Sequence, residues 1–191
     1  MGLLHIVSTT GASMSPQREH PIISVLTKGI CLELHEVRNQ GLIRAALILL
    51  YSGMDQVSYL AMKPGTKDSS RKVFADWVEK YVVLQGATVV TGMELYAARC
   101  AMLHKYGTEA KLHVDGEVTR QIAICAGGPK TVYFDPVNPA LICIEVNYLI
   151  DAFLDGVMQF TRDLEGSDQA YRNLVNERLH QMMDVFTRTE P

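Results

Sequence analysis

Two residues that could act together on a phosphate, Arg99 and His104, lie in an otherwise apolar stretch of the chain. Between Glu94 and Lys105 they are the only groups expected to carry charge near neutral pH. A histidine can accept or donate a proton in that range, and a guanidinium can stabilise the extra negative charge of a phosphoryl transition state. The pair therefore predicts cleavage of RNA, which brings its own 2′-hydroxyl nucleophile, without a metal or cofactor.

A plainer interpretation of the same pair is structural. Arg99 would pair with an acid in the core, and His104 would cap the end of its helix. A step of five residues is about 140° around a helix, so the two side chains need not touch. Asp55, the only acid on the most apolar predicted helix, is expected to orient Arg99, although an exposed Asp55 facing a turn is the alternative.

Apolar residues recur at helical spacing over most of the chain. Thr91 and Glu94 form a capping-box pattern that opens the helix carrying Arg99, and Gly107 is predicted to end it. Residues 1–20 show no clear period and are expected to be a loosely ordered N-terminal segment. Predicted helices cover residues 22–38, 42–62, 71–83, 92–106, 145–164 and 168–188.

A change of character at about 112–144 predicts a small β insertion. Residues 120–126 alternate, Gly127-Gly128-Pro129 forms a turn, and residues 131–134 are β-branched and aromatic, which is typical of a hairpin. Residues 141–144 could add a third strand. The predicted fold is mainly α, an up-and-down bundle of five to six helices with this β-hairpin insertion, in a single domain over 21–191.

Composition limits the class of protein. The 191 residues include 48% hydrophobic and 20% charged residues, which is typical of a globular chain. The net charge of −3 argues against a general nucleic-acid coat, because non-specific phosphate binding needs excess Lys and Arg. We identify no signal peptide and no membrane span, and the four cysteines form no CxxC pair, so the cytoplasm is expected. Cys31 and His35 lack a second ligand pair, so no metal site is predicted.

The segment from Arg99 to His104 resembles the R-x4–6-H signature of HEPN domains. The wider stretch 95–104 (LYAARCAMLH) is similar to a bacterial branch of uncharacterised HEPN-like proteins. Residues 52–55 (SGMD), 74–81 (FADWVEKY) and the predicted helix over 146–160 resemble that branch too. The motif gains specificity from its place on a buried fourth helix.

This resemblance implies a helical bundle that forms homodimers. In active members it also implies a ribonuclease whose arginine and histidine face each other across the dimer interface, here Arg99 and His104. Many active members have a polar residue after the arginine, often Asn, where this chain has Cys100. Tyr106 completes an R-x4-H-x-Y pattern, seen in members paired with an antitoxin that modifies the tyrosine. Asp55, Tyr96, Cys100 and Tyr106 are thus the candidate supporting residues.

Two functions follow as hypotheses. The first is a dimeric, metal-independent endoribonuclease acting on single-stranded RNA, in stress or phage defence. The second is an inactive HEPN-like dimer that binds RNA, a nucleotide or a protein partner, which Cys100 favours. A structural partner of a neighbouring gene product, such as an antitoxin, is a third option.

Overall fold

A long helical N-terminal half leads through a three-stranded sheet into two final helices. The computed structural model describes residues 21–66 and 68–182. The expected tail over 1–20 and the last residues of the predicted final helix lie outside these ranges. The elements are α1 Pro21–Leu26, α2 Leu32–Asn39, α3 Ile43–Leu60, α4 Arg71–Tyr81, α5 Gly92–Lys105, α6 Lys111–Val114, β1 Gln121–Cys125, β2 Val132–Phe134, β3 Leu141–Glu145, α7 Val146–Glu165 and α8 Gln169–Met182.

This arrangement confirms the predicted fold class, mainly α with a small β insertion. The helix predicted over 22–38 is instead kinked. Residues Thr27–Cys31 form a π-helical turn in which Gly29 leaves helical geometry, with φ −95° and ψ −113°. Glycine, which has no Cβ, tolerates such a break most easily.

Helices α3 and α7 form the centre of the bundle. Nearly every side of α3 is apolar, as expected for a helix covered all round, and Leu50, Tyr51 and Met54 have no exposed surface. The apolar stripe of α7 includes Phe153, also fully buried. One hydrophobic cluster contains buried residues from both helices and from α1, α2, α4, α5, α8 and the sheet.

The N-terminus of α5 is held by one buried carboxylate, that of Glu94. The predicted capping box is confirmed: the Thr91 hydroxyl accepts from the Glu94 N–H at 3.2 Å, and Glu94 Oε2 accepts from the Thr91 N–H at 2.8 Å. Arg120, just before β1, donates to both Glu94 oxygens and to Val89 O. Since Glu94 is only 6% exposed, this pairing compensates a buried charge.

The pairing of the strands differs from the predicted hairpin between residues 120–126 and 131–134. β3 lies in the middle of the sheet, parallel to β1 and antiparallel to β2. Its Ile142, Cys143 and Ile144 are buried, so the most apolar strand occupies the central position. Val132 of β2 instead exchanges backbone hydrogen bonds with Gln85 and Ala87, which precede α5. The order of the strands in the sheet is therefore set by the burial of β3, and not by the turn at Gly127.

Substitution of Gly92 tests the close packing of α5 on α4. A Cβ at Gly92 would lie 2.3 Å from the carbonyl oxygen of Ala75. We expect Gly92→Ala to lower the free energy of unfolding by about 1–3 kcal/mol, because backbone must move apart. Gly107→Ala is the matched control, since nothing lies within 4 Å of its added Cβ. Equal denaturation midpoints for the two variants would contradict this packing.

Acid unfolding tests the ion pair that joins α2 to α7. Asp151 accepts from Arg38 at 2.5 Å and from Lys130 at 3.0 Å. Burial raises the pKa of Asp151, but these hydrogen bonds outweigh it and hold the pKa below its ordinary value. The link therefore stabilises the fold above the unfolded pKa of about 4 and is lost as pH falls through the lower folded pKa.

We expect Asp151→Asn to cost less than about 1 kcal/mol at neutral pH, since the carboxylate is partly solvated. The difference from wild type should narrow in denaturant titrations repeated at pH values below about 4. Asp155→Asn, an exposed position on the same helix, serves as the control. If the difference in unfolding free energy between Asp151→Asn and wild type stays constant down to strongly acidic pH, the Asp151 carboxylate does not stabilise the fold in this way.

Candidate functional site

Arg99 is paired with Asp55, as predicted. Its Nε and Nη2 both donate to Asp55 Oδ2, at 2.9 and 2.6 Å. Burial lowers the pKa of Arg99, but the hydrogen bond and the charge of Asp55 outweigh it, so the pKa lies above its ordinary value. The Arg99 side chain is 24% exposed, which means that the pair lies at the edge of the core and is open to solvent.

The guanidinium keeps hydrogen-bonding capacity for a ligand. Among the described residues, the only hydrogen-bond acceptor of Nη1 is the sulfur of Cys100, at 3.9 Å, a weak interaction. The carbon of the guanidinium lies 5.9 Å from the centre of the Tyr96 ring, within cation–π range. Arg99 thus has one nitrogen available for an anion, while Asp55 orients the rest of the group.

A groove of about 530 Å³ opens at this pair. It is lined by both members of the pair and by Arg71, Tyr59, Tyr96 and Ser70, among others. Arg71 is half exposed and donates to Glu117 at 2.6 Å. No sequence pattern marks Arg71 or Ser70 as site residues, because only the packing of α4 against α5 brings the start of α4 to Arg99.

His104 lies on a different side of α5. The ring is exposed and lines a separate groove of about 520 Å³, together with Cys100, Ala101, Glu109 and Lys111. Cys100 therefore stands between the two grooves, with its sulfur near Arg99 and its side chain in the wall of the His104 groove. A single copy of the chain does not bring Arg99 and His104 into one groove.

Of the two remaining candidates, Tyr96 lines the Arg99 groove and Tyr106 lines neither groove. Tyr96 lies beside Arg99, and its ring meets Phe74 edge-on at 5.5 Å. Burial raises the pKa of Tyr96, and Cys100 raises it further, so its hydroxyl stays protonated near neutral pH. Tyr106 is 62% exposed and is the C-cap residue of α5.

The end of α5 differs from the prediction. Tyr106, and not Gly107, takes the left-handed conformation that ends the helix, with φ 51° and ψ 37°. That conformation costs a residue with a Cβ about 1–2 kcal/mol. Gly107 was predicted to end the helix because glycine adopts the left-handed conformation without this cost. Backbone bonds from Tyr106 and Gly107 to carbonyls of Met102 and Ala101 hold the turn in place.

Within the part of the chain that the structure describes, no group of three or more His, Cys, Asp or Glu side chains is arranged to hold a metal ion. Over the same residues, no helix has the length and apolar character needed to cross a membrane. The four cysteines, of which Cys143 is buried, are free thiols.

Comparison with known proteins gives no match among family models, curated proteins or solved structures. The HEPN resemblance therefore stays a prediction based on the R-x4-H pattern and its helical setting.

A double-mutant cycle measures how strongly Asp55 and Arg99 depend on each other. We compare the unfolding free energies of Asp55→Ala, Arg99→Ala and the double variant with wild type. We expect a coupling of about 0.5–3 kcal/mol, because each single change leaves a partly buried charge without its partner. The exposed pair Lys72 and Asp76, 79% and 53% exposed, is the control and should couple by less than about 0.5 kcal/mol. A coupling for Asp55 and Arg99 no larger than this control would show that the pair does not fix Arg99.

Proposed function

We propose that this chain is a HEPN-like protein that cleaves single-stranded RNA as a homodimer without a metal ion. The observation that supports this proposal is the placement of Arg99 and His104 on one helix, each accessible from its own groove. Because one copy keeps them apart, the proposed site requires two copies whose α5 helices face each other. A twofold axis beside α5 would set the arginine of one copy near the histidine of the other.

The proposed reaction uses the RNA's own nucleophile. His104 of one copy accepts the proton of the ribose 2′-hydroxyl as its oxygen attacks the adjacent phosphorus. The bond from phosphorus to the 5′ oxygen breaks, and the protonated histidine of the second copy donates a proton to that leaving oxygen. The products are a 2′,3′-cyclic phosphate and a 5′-hydroxyl end. Arg99 stabilises the charge on the non-bridging oxygens through Nη1.

The surroundings of Arg99 are suited to an unpaired nucleotide. Tyr59 and Tyr96 line the groove, and an aromatic ring can stack on a base of single-stranded RNA. Arg71, at the start of α4, adds a second guanidinium for a neighbouring phosphate. The local cations of this groove are compatible with the acidic whole chain, because only a short segment of RNA needs to be held.

The second candidate function is an inactive dimer that binds RNA, a nucleotide or a protein partner such as an antitoxin. Two observations favour it. Asp55 already occupies two of the Arg99 donors and would repel a phosphate, and Cys100 stands where active HEPN members often have a polar residue. In both proposals the protein acts in the cytoplasm.

Cleavage of a single-stranded RNA in the presence of EDTA tests the first proposal. We expect wild type to produce 2′,3′-cyclic phosphate ends, and His104→Ala to lose about 10²–10⁴-fold in rate, since it removes the proposed acid and base. Arg99→Lys should also be slow, because a point charge replaces the planar fork. His35→Ala, another exposed histidine, is the control and should keep full activity.

Each other outcome of this experiment is informative. Activity that survives His104→Ala would exclude the mechanism. Saturable RNA binding without cleavage, reduced by Arg99→Lys, would favour the inactive dimer. Sedimentation that shows a monomer at every concentration tested would exclude the two-copy site.

A further inference from the structure

A partly open cavity lies away from α5. It measures about 720 Å³ and is lined by the end of α3, one side of α4, the end of α7 and the start of α8. None of its lining residues lines the Arg99 groove or the His104 groove. Its volume falls in the range of about 300–1,000 Å³ that is typical of small-molecule sites.

Aromatic rings form much of the wall. Trp77 lies 5.5 Å from Tyr81, and Tyr81 meets Phe160 edge-on at 5.8 Å, measured between ring centres. Tyr171 closes the α8 side and donates from its hydroxyl to Ala61 O at 3.0 Å. Trp77, Tyr81 and Phe160 are only 3%, 8% and 1% exposed, so they form the backing of the wall, and the partly exposed Tyr171 is the ring that can offer apolar surface to a planar ligand.

The charged side chains that line this cavity include more cations than anions. Its acids are already neutralised: Asp163 accepts from Lys80 at 2.9 Å, and Asp76 accepts from Lys72 at 2.7 Å. The lining also includes Lys63 and Arg162. Among the described residues, no ion pair or side-chain hydrogen bond engages either of these two side chains. Two uncompensated cations therefore border an aromatic cavity in a chain whose net charge is −3.

Trp77 adds a second indication of a ligand. Its indole N–H is buried and has no acceptor among the described residues. Buried donors in native proteins are nearly always satisfied, so this N–H, which lies next to the cavity, is a group that an acceptor on a ligand could pair. The nitrogen is closed to solvent in this conformation, so an acceptor on a ligand could reach it only after a small movement of the wall.

From these contacts we propose that the cavity binds a small aromatic anion, with its ring against Tyr171 at the edge of the aromatic cluster that contains Trp77 and its carboxylate or phosphate toward Lys63 and Arg162. The ring would replace solvent along the apolar wall. The anionic group would make charge-assisted hydrogen bonds to the two cations. This proposal is independent of RNA cleavage, because it uses no residue of the α5 grooves.

Fluorescence of Trp77 reports directly on this site, because it is the only tryptophan of the chain. We would titrate the full-length protein with 3-phenylpropanoate, phenyl phosphate and the uncharged 3-phenylpropanamide. We expect a saturable change with one or both anions, and binding of the amide weaker by at least about tenfold. The two anions distinguish a carboxylate site from a phosphate site.

The variant with Lys63→Gln and Arg162→Gln should weaken binding of the preferred anion by about tenfold or more and leave the amide unchanged. Both positions are exposed, so the fold should be retained. The control variant, Arg44→Gln with Lys111→Gln, removes the same charge outside the cavity and should bind like wild type. No saturable change with either anion, equal affinity for the amide, or equal loss in the control variant would each overturn the proposal.

Discussion

The carboxylate of Glu94 is the constraint on which the placement of α5 depends. It closes the capping box with Thr91, and it accepts hydrogen bonds from Nε and Nη2 of Arg120, in the segment before β1. A buried acid left without these donors would cost several kcal/mol, so the helix start, the preceding loop and the sheet must form together. Because α5 carries Arg99 and His104, the orientation of both follows from this one group.

Helix α5 has two accessible sides with different chemistry. On one side, Asp55 and Tyr96 hold Arg99 at the edge of the core, in a groove that a nucleotide could enter. On the other side, His104 is exposed near the short helix α6. Since Cys100 separates the two grooves, any chemistry that combines Arg99 with His104 depends on contact between two copies of the chain. A dimer is thus necessary for the proposed enzyme, but the proposed binding protein is also a dimer, so RNA cleavage is the property that decides between them.

Local features of the fold and one long-range contact, between Asp55 and Arg99, could be predicted from the sequence, but the pairing of the strands could not. The helices, the capping box and the pairing of Asp55 with Arg99 follow from periodicity, from residue types three apart, and from the scarcity of charge on two apolar helices. The predicted pairing of residues 120–126 with 131–134 was wrong, because a turn at Gly127 does not reveal that β3 is the most buried strand. The role of Arg178, which caps the end of α3 by donating to Leu60 O, had no signal in the sequence.

The sequence by itself determined which helices form and that Arg99 and His104 share one of them, because helix formation and capping depend on neighbours within a few residues. Only the tertiary structure decided what each side chain faces. Packing of α4 on α5 brings Arg71 toward Arg99, and one side of α4 forms the cavity beside Trp77 together with the ends of α3 and α7 and the start of α8. Those contacts join residues far apart in the chain, and their geometry depends on how whole helices fill the core.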